Sequence, residues 1–391
     1  MEEGLIKKSI SKKKRLKFIL ATSLFLVVII FVIAELLLYL FHYQSSYNKM
    51  SEFSLTEARW WKCDSVSGPV YIKNAANKED STFFSSIQEN WYYNRLKVIN
   101  NDGYHDRRDF TALAPDNDSM KILFLGDSFT WGASADVDSS YVDVFKRDIS
   151  KSMPANIIWN TGIPGTGTNH ALAETKKYLP LQRSNYVILG FYDGNDFMDN
   201  LTPYDRLLFT NDATCINLYD FDKNVSPVKM TKREAFKKAT GSYPMEELNI
   251  LQKIIIRSRL VSFISDMKDK LVNRASGLKN RKKELAYQFT KDYLKQLNDY
   301  VKSNNAELIV LLIPNKFDLK TRGEEFLNAT KIFNELSIKY FENTPLLSEK
   351  NYLHPVSKYD VHWNNSGHII TGHAFSDYFI KYLEGKNKKP L

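Results

Sequence analysis

The sequence predicts an α/β sandwich carried on a single apolar anchor, and three observations lead there. From residue 121 onward, short apolar runs end in Gly, Asn or Pro; helical apolar patterns stand between them; and residues 18–41 form one long apolar segment. The chain has 391 residues, 43% of them hydrophobic, which is more than one core domain requires, so part of it must lie outside that domain.

The anchor comes first. Residues 18–41, FILATSLFLVVIIFVIAELLLYLF, are apolar except for Thr22, Ser23 and Glu35. At about 1.5 Å per residue this segment exceeds the roughly 30 Å of a bilayer's hydrocarbon, so it can span with some tilt. Glu35 stands near the far end, where a carboxylate can reach the interface. A cleavable signal peptide would show a shorter apolar region followed by small residues, so an anchor is expected. The preceding KKSISKKKRLK is dense in Lys and Arg, which keeps residues 1–17 in the cytoplasm and puts everything after about residue 42 outside. That flank also carries +5 of the formal +9 net charge, so the basic balance does not point to nucleic acid as a partner.

Residues 42–116 are polar and aromatic and read as a juxtamembrane extension. They include Cys63; with Cys215 it stands outside the cytoplasm, where the pair can form a disulfide, though two separate thiols fit equally. The main domain is expected over 117–384, with a short tail at 385–391. Its strands are KILFL (121–125), NIIWN (156–160), YVILGF (186–191) and ELIVLLI (307–313), short apolar runs of the kind that parallel strands buried on both faces show. Phe289, Tyr293, Leu294, Leu297, Tyr300 and Val301 recur at helical spacing before the fourth strand. Ile369, Ile370, Phe375, Tyr378, Phe379, Tyr382 and Leu383 do so in a final helix. Strands alternating with helices imply right-handed crossovers. The third and fourth strands stand too far apart for one crossover, so about 200–285 is an insertion. Its stretch 244–283 is basic and amphipathic: a solvated face, or one for an anionic surface.

The chemistry gathers where strands end. The first runs into Gly126-Asp127-Ser128-Phe129-Thr130, placing a serine at the edge that binds ligands in open α/β sheets. The second ends in Asn160-Thr161-Gly162-Ile163-Pro164-Gly165-Thr166-Gly167, whose spacing is wrong for a nucleotide loop but which offers backbone N–H groups. The third ends in Asp193-Gly194-Asn195-Asp196, where an amide gives a neutral donor. Near the C-terminus stands Tyr359-Asp360-Val361-His362-Trp363-Asn364: an imidazole to take a serine proton, and a carboxylate to orient it. His368 and His373 fall inside the last helical pattern and read as structural. No Cys/His set has zinc-ligand spacing, and neither metal nor cofactor is expected.

The order GDS, glycine loop, GND and C-terminal Asp/His resembles the four blocks of the SGNH/GDSL hydrolases, over about residues 117–384. INNDGYHDRRDF (99–110) is similar to the lead-in of bacterial membrane-anchored members. The resemblance implies a three-layer α/β/α flavodoxin-like sandwich. It makes Ser128 the nucleophile, His362 the base, Asp360 its partner, and Ser128, Gly165 and Asn195 the oxyanion donors, with Gly162 the alternative to Gly165. One departure stands out: the family's common Asp position, three before the His, is Tyr359. The Asp-x-His-Trp form is similar to proteins that O-acetylate alginate and related exopolysaccharides. It implies a membrane-anchored, extracytoplasmic esterase or O-acyltransferase acting on an acylated cell-envelope or secreted polysaccharide. A transferase would need a membrane acyltransferase to bring its donor across. The other reading is a non-catalytic polysaccharide-binding or assembly protein on the same fold, for which the catalytic set would be eroded.

Overall fold

The computed structural model describes residues 11–45, 47, 61–64, 68–71, 100–106, 110, 119–136, 138–201, 217–219, 227–229, 247–275, 278–353 and 360–387. The chain forms two compact units: Met1–Ser54 with Thr240–Leu278, and Leu55–Ala239 with Lys279–Leu391.

The first unit holds helix α1 (Lys12–Leu40), long and apolar enough to cross a membrane, none of it buried against protein. Helices α4 (Ile250–Arg257) and α5 (Arg259–Ala275) of the basic stretch belong to this unit.

In the second unit, β1 (Met120–Gly126), β2 (Asn156–Asn160), β3 (Tyr186–Tyr192), β4 (Glu307–Ile313) and β5 (Lys339–Glu342) make one parallel sheet, ordered β2-β1-β3-β4-β5. This is the flavodoxin-like order, which reverses direction beside the first strand. Every expected strand is present; β5 was not expected. Two short antiparallel ribbons pair Trp61–Asp64 with Gly68–Tyr71 and Asn217–Tyr219 with Pro227–Lys229.

Side chains of a strand alternate between faces, and here both faces are covered. Leu123, Leu125, Val187, Leu189, Val310 and Leu312 pack with α3 (Thr168–Gln182), α6 (Leu278–Ser303) and α7 (Glu324–Glu335). Ile122, Phe124, Ile188, Ile309 and Leu311 pack with α2 (Tyr141–Ser152) and α8 (Asn365–Asn387). The result is a three-layer sandwich. Of the expected helical faces, Leu294, Leu297, Val301, Phe375 and Phe379 are wholly buried, each contributing roughly 1.5–3 kcal/mol of apolar burial, while Ile370 stays on the surface. Cys215 and Tyr359 lie outside the described residues, and with Cys215 the question of its pairing with Cys63.

Candidate active site

β1 delivers the serine. Its last residue, Gly126, has φ +146°, a backbone conformation L side chains rarely adopt. A Cβ there would lie 2.2 Å from Thr130 Oγ1 and 2.8 Å from Gly190 O. Only glycine lets the chain turn so sharply into the helical turn Ser128–Trp131. Asp127 caps that turn, accepting from Phe129 N–H at 2.9 Å, and Ser128 follows as its first residue.

The histidine arrives from a segment 234 residues away. His362 Nε2 lies 2.8 Å from Ser128 Oγ, and Nδ1 lies 2.7 Å from Asp360 Oδ1, which also accepts the His362 backbone N–H at 2.8 Å. A carboxylate beside Nδ1 holds the proton there, which leaves Nε2 to accept from the serine hydroxyl. Trp363 explains how this loop is held. It is wholly buried, packs edge-on to Phe129 at 4.9 Å, and meets Tyr141 and His368 as well. Phe129 in turn lies 5.0 Å from the His362 ring. Lys316, just past β4, donates to the Asp360 carbonyl.

Asp360 does not cap α8. That is done by the Asn364 side chain, which accepts from Ser366 N–H at 3.0 Å and Gly367 N–H at 3.2 Å. His368 is structural: Nδ1 accepts Tyr141 N–H at 3.3 Å, so Nε2 carries the proton and donates to Ala133 O at 2.9 Å. His373 meets Asp148 at the surface.

The glycine loop and the GND turn leave β2 and β3, the two neighbours of β1, with Phe124 opposite Asn160 and Gly126 opposite Gly190. The two candidate glycines differ. Gly162 N–H is bonded to Asn160 Oδ1 at 3.0 Å, and a Cβ on Gly162 would lie 2.5 Å from Trp131 N. Gly165 (φ +71°) and Ser128 have backbone N–H groups with no acceptor among the described residues. Asn195 gives one amide hydrogen to Asp199 at 2.7 Å.

Sequence reasoning missed Asn160, which ties the loop to the serine turn. Its Nδ2 donates to Thr130 O at 2.9 Å while Oδ1 holds Gly162, and its backbone N–H reaches Asp106 at 3.0 Å. Asp106, in the lead-in segment, pairs with Lys146 at 2.8 Å. Its position at the end of an apolar run was the signal.

Buried carboxyls stand at the serine turn and at the GND turn. Burial pushes Asp127 up to about 6, against the pull of Phe129 N–H and of the nearby His362 ring. Burial raises Asp193 to about 7 and, with repulsion from Asp127 and Asp199, holds Asp196 well above the carboxylate range. Such shifts gather at functional sites, because a low-dielectric cleft disfavours charge.

No family model matches the chain, and no curated protein does. Solved structures do. A two-domain esterase active on acetylated mannans matches with a TM-score of 0.37 and 12% identity, covering 67% of this chain and 49% of that one. The psychrotrophic esterase EstA from Pseudoalteromonas sp. gives 0.36 and 12%, covering 68% and 98%. The lipase/acylhydrolase from Enterococcus faecalis gives 0.36 and 13%, covering 66% and 94%. The chain thus spans about half the length of the first of these.

Proposed function

We propose that this chain is a membrane-anchored, extracytoplasmic serine esterase or O-acyltransferase that works through an acyl-serine. The observation that carries it is the relay Ser128 Oγ–His362 Nε2, His362 Nδ1–Asp360, set at the carboxyl edge of a flavodoxin-order sheet. Ser128 Oγ attacks the ester carbonyl as its proton passes to His362 Nε2, and Asp360 steadies the imidazolium. The tetrahedral oxyanion is met by Ser128 N–H, Gly165 N–H and the second amide hydrogen of Asn195. Gly165 is favoured over Gly162 because the latter's N–H is already bonded. The imidazolium then protonates the leaving alkoxide, whose bond to the acyl carbon breaks. Next, His362 removes a proton from water or a sugar hydroxyl, which attacks the acyl carbon; the bond to Ser128 Oγ breaks as His362 returns the proton to that oxygen. Water makes the protein an esterase; a sugar makes it an acyltransferase.

The anchor reading is supported by the length and exposed apolar surface of α1, and the outside placement by the Lys/Arg flank before it. An acetylated cell-envelope or secreted polysaccharide as substrate follows from that placement and from the Asp-x-His-Trp resemblance. An intact relay speaks against an eroded, non-catalytic site.

The test is to incubate the full chain in detergent with an acetyl ester, with and without oligosaccharide acceptors, and follow acetate release and transfer by mass spectrometry. Turnover with an acyl adduct on the Ser128 peptide is expected, and Ser128→Ala should remove both. Turnover by Ser128→Ala within a few-fold of wild type would sink the acyl-serine mechanism.

A further inference from the structure

In the first unit, α4 carries Ile250, Leu251, Ile254 and Ile255 on one face, all exposed, Ile250 at 79%. Ile256 turns inward, and Asn249 and Gln252 close a capping box at the helix start, so the helix is well formed yet leaves its apolar face uncovered. The stripe continues onto α5 with Phe263 and Ile264, Ile264 at 57%. A contiguous apolar face of this kind marks a surface with an apolar partner.

The contact with α1 says which partner. Glu35 accepts the backbone N–H groups of Arg259 at 3.1 Å and Leu260 at 3.0 Å, together with the Ser258 hydroxyl. The carboxylate thereby caps the N-terminus of α5, where unpaired N–H groups and the helix dipole favour a negative charge. Glu35 stands five residues before Leu40, the last residue of α1. At the α-helical rise, the α4–α5 junction therefore lies about 8 Å short of the end of the apolar helix. From there α5 climbs beside α1: Arg259 Nε reaches Tyr43 O at 3.1 Å, the Phe263 ring meets Tyr43 at 5.4 Å, and Tyr43 donates to Asp266. Amphipathic helices that lie on membranes bury their apolar face about 5–10 Å into the headgroup–acyl boundary, which is the depth Glu35 sets. The charge agrees, since residues 250–275 carry six Lys/Arg against Asp266 and Asp269.

We propose that α4 and the first turns of α5 are an interfacial foot, seated in the leaflet that receives the C-terminal end of α1. Ile250, Leu251, Ile254, Ile255 and Ile264 lie against acyl chains, and the basic side chains face anionic lipid phosphates. This rests on reading α1 as a membrane span.

The test places a benzophenone amino acid at single positions of the full chain. These are Ile254 and Ile264 on the foot, Val28 in the span, and Lys295 on the surface of α6. Each variant is reconstituted in vesicles of phosphatidylcholine and phosphatidylglycerol and photolysed. Lipid adducts at Ile254 and Ile264 should exceed those at Lys295 several-fold and approach those at Val28, with phosphatidylglycerol over-represented relative to its share of the mixture. Adducts at Val28 but not at Ile254 or Ile264 would overturn the foot and leave the span standing. Their absence at Val28 too would overturn the span and the foot with it. Crosslinks from Ile254 to protein instead of lipid would overturn the foot in favour of a protein partner.

Discussion

The Asp360 carboxylate accepts both the ring and the backbone N–H of His362, whereas the first N–H groups of α8 go to Asn364, four residues on. Holding the imidazole and starting the helix are thus separable by mutation. Asp360→Asn should keep the melting temperature near wild type and lower turnover by up to about 10⁴-fold, the loss seen when a serine-protease triad carboxylate is replaced. Asn364→Ala should do the reverse, losing about 1 kcal/mol of cap while turnover is largely kept. A near-wild-type rate for Asp360→Asn would reduce the site to a Ser–His dyad. Asn160 gives a second test. Its truncation leaves Gly162 N–H and Thr130 O unpaired in a buried place, at a cost of about 1–3 kcal/mol. Because these bonds hold the loop that carries Gly165 against the serine turn, Asn160→Ala should lower kcat with KM little changed. Lost stability with unchanged kcat would make Asn160 a purely structural residue.

At the scale of elements, the strand-to-helix turn after β1 is a tightly constrained piece of backbone. Gly126→Ala adds a methyl 2.2 Å from Thr130 Oγ1 in a conformation that disfavours side chains. Strain and overpacking together should exceed about 2 kcal/mol, read as a fall in the denaturant midpoint. Adding Thr130→Ala removes the nearest contact and should recover part of that loss. If the double variant falls short of Thr130→Ala alone by as much as Gly126→Ala falls short of wild type, the Thr130 contact adds nothing, and the cost lies in the backbone conformation and the approach to Gly190 O. The strands show why the sheet could be read in advance. β1, β3 and β4 are apolar on both faces because helices cover both, whereas β5, Lys339–Glu342, is a four-residue edge strand with no fully buried side chain. Nothing in KYFE separates such an edge from a loop.

For the molecule as a whole, two outcomes are expected. With an external catalytic unit, a reporter active only outside the cytoplasm and fused after Leu391 should be active, and protease added to spheroplasts should digest most of the chain. Protection of the bulk would reverse the orientation. The second concerns pH. Burial raises Asp193 from an ordinary 3.8 to about 7, so the folded state binds its proton more tightly than the unfolded one. That stabilising contribution is complete below the unfolded pKa and is lost as pH rises through the folded one, from about pH 4 to about pH 7. Asp193→Asn should therefore raise the melting temperature above pH 7 and flatten its decline on the way there. An unchanged slope would mean that Asp193 does not drive the loss.

Apolar periodicity, glycine punctuation and four short motifs determined by themselves the long apolar helix α1, the strands from β1 to β4 and the candidates Ser128, His362 and Asp360. These signals are local: a strand buried on both faces must be apolar along its length, and a sharp turn must have its glycine. Tertiary structure alone decided which groups meet. Ser128 and His362 lie 234 residues apart, and Glu35 reaches Arg259 across 224. No local pattern distinguishes Gly162, whose N–H is spent on Asn160, from Gly165, or a helix cap at Asn364 from one at Asp360. A hydrogen bond is a matter of distance and direction between two atoms, and only the packed fold fixes both.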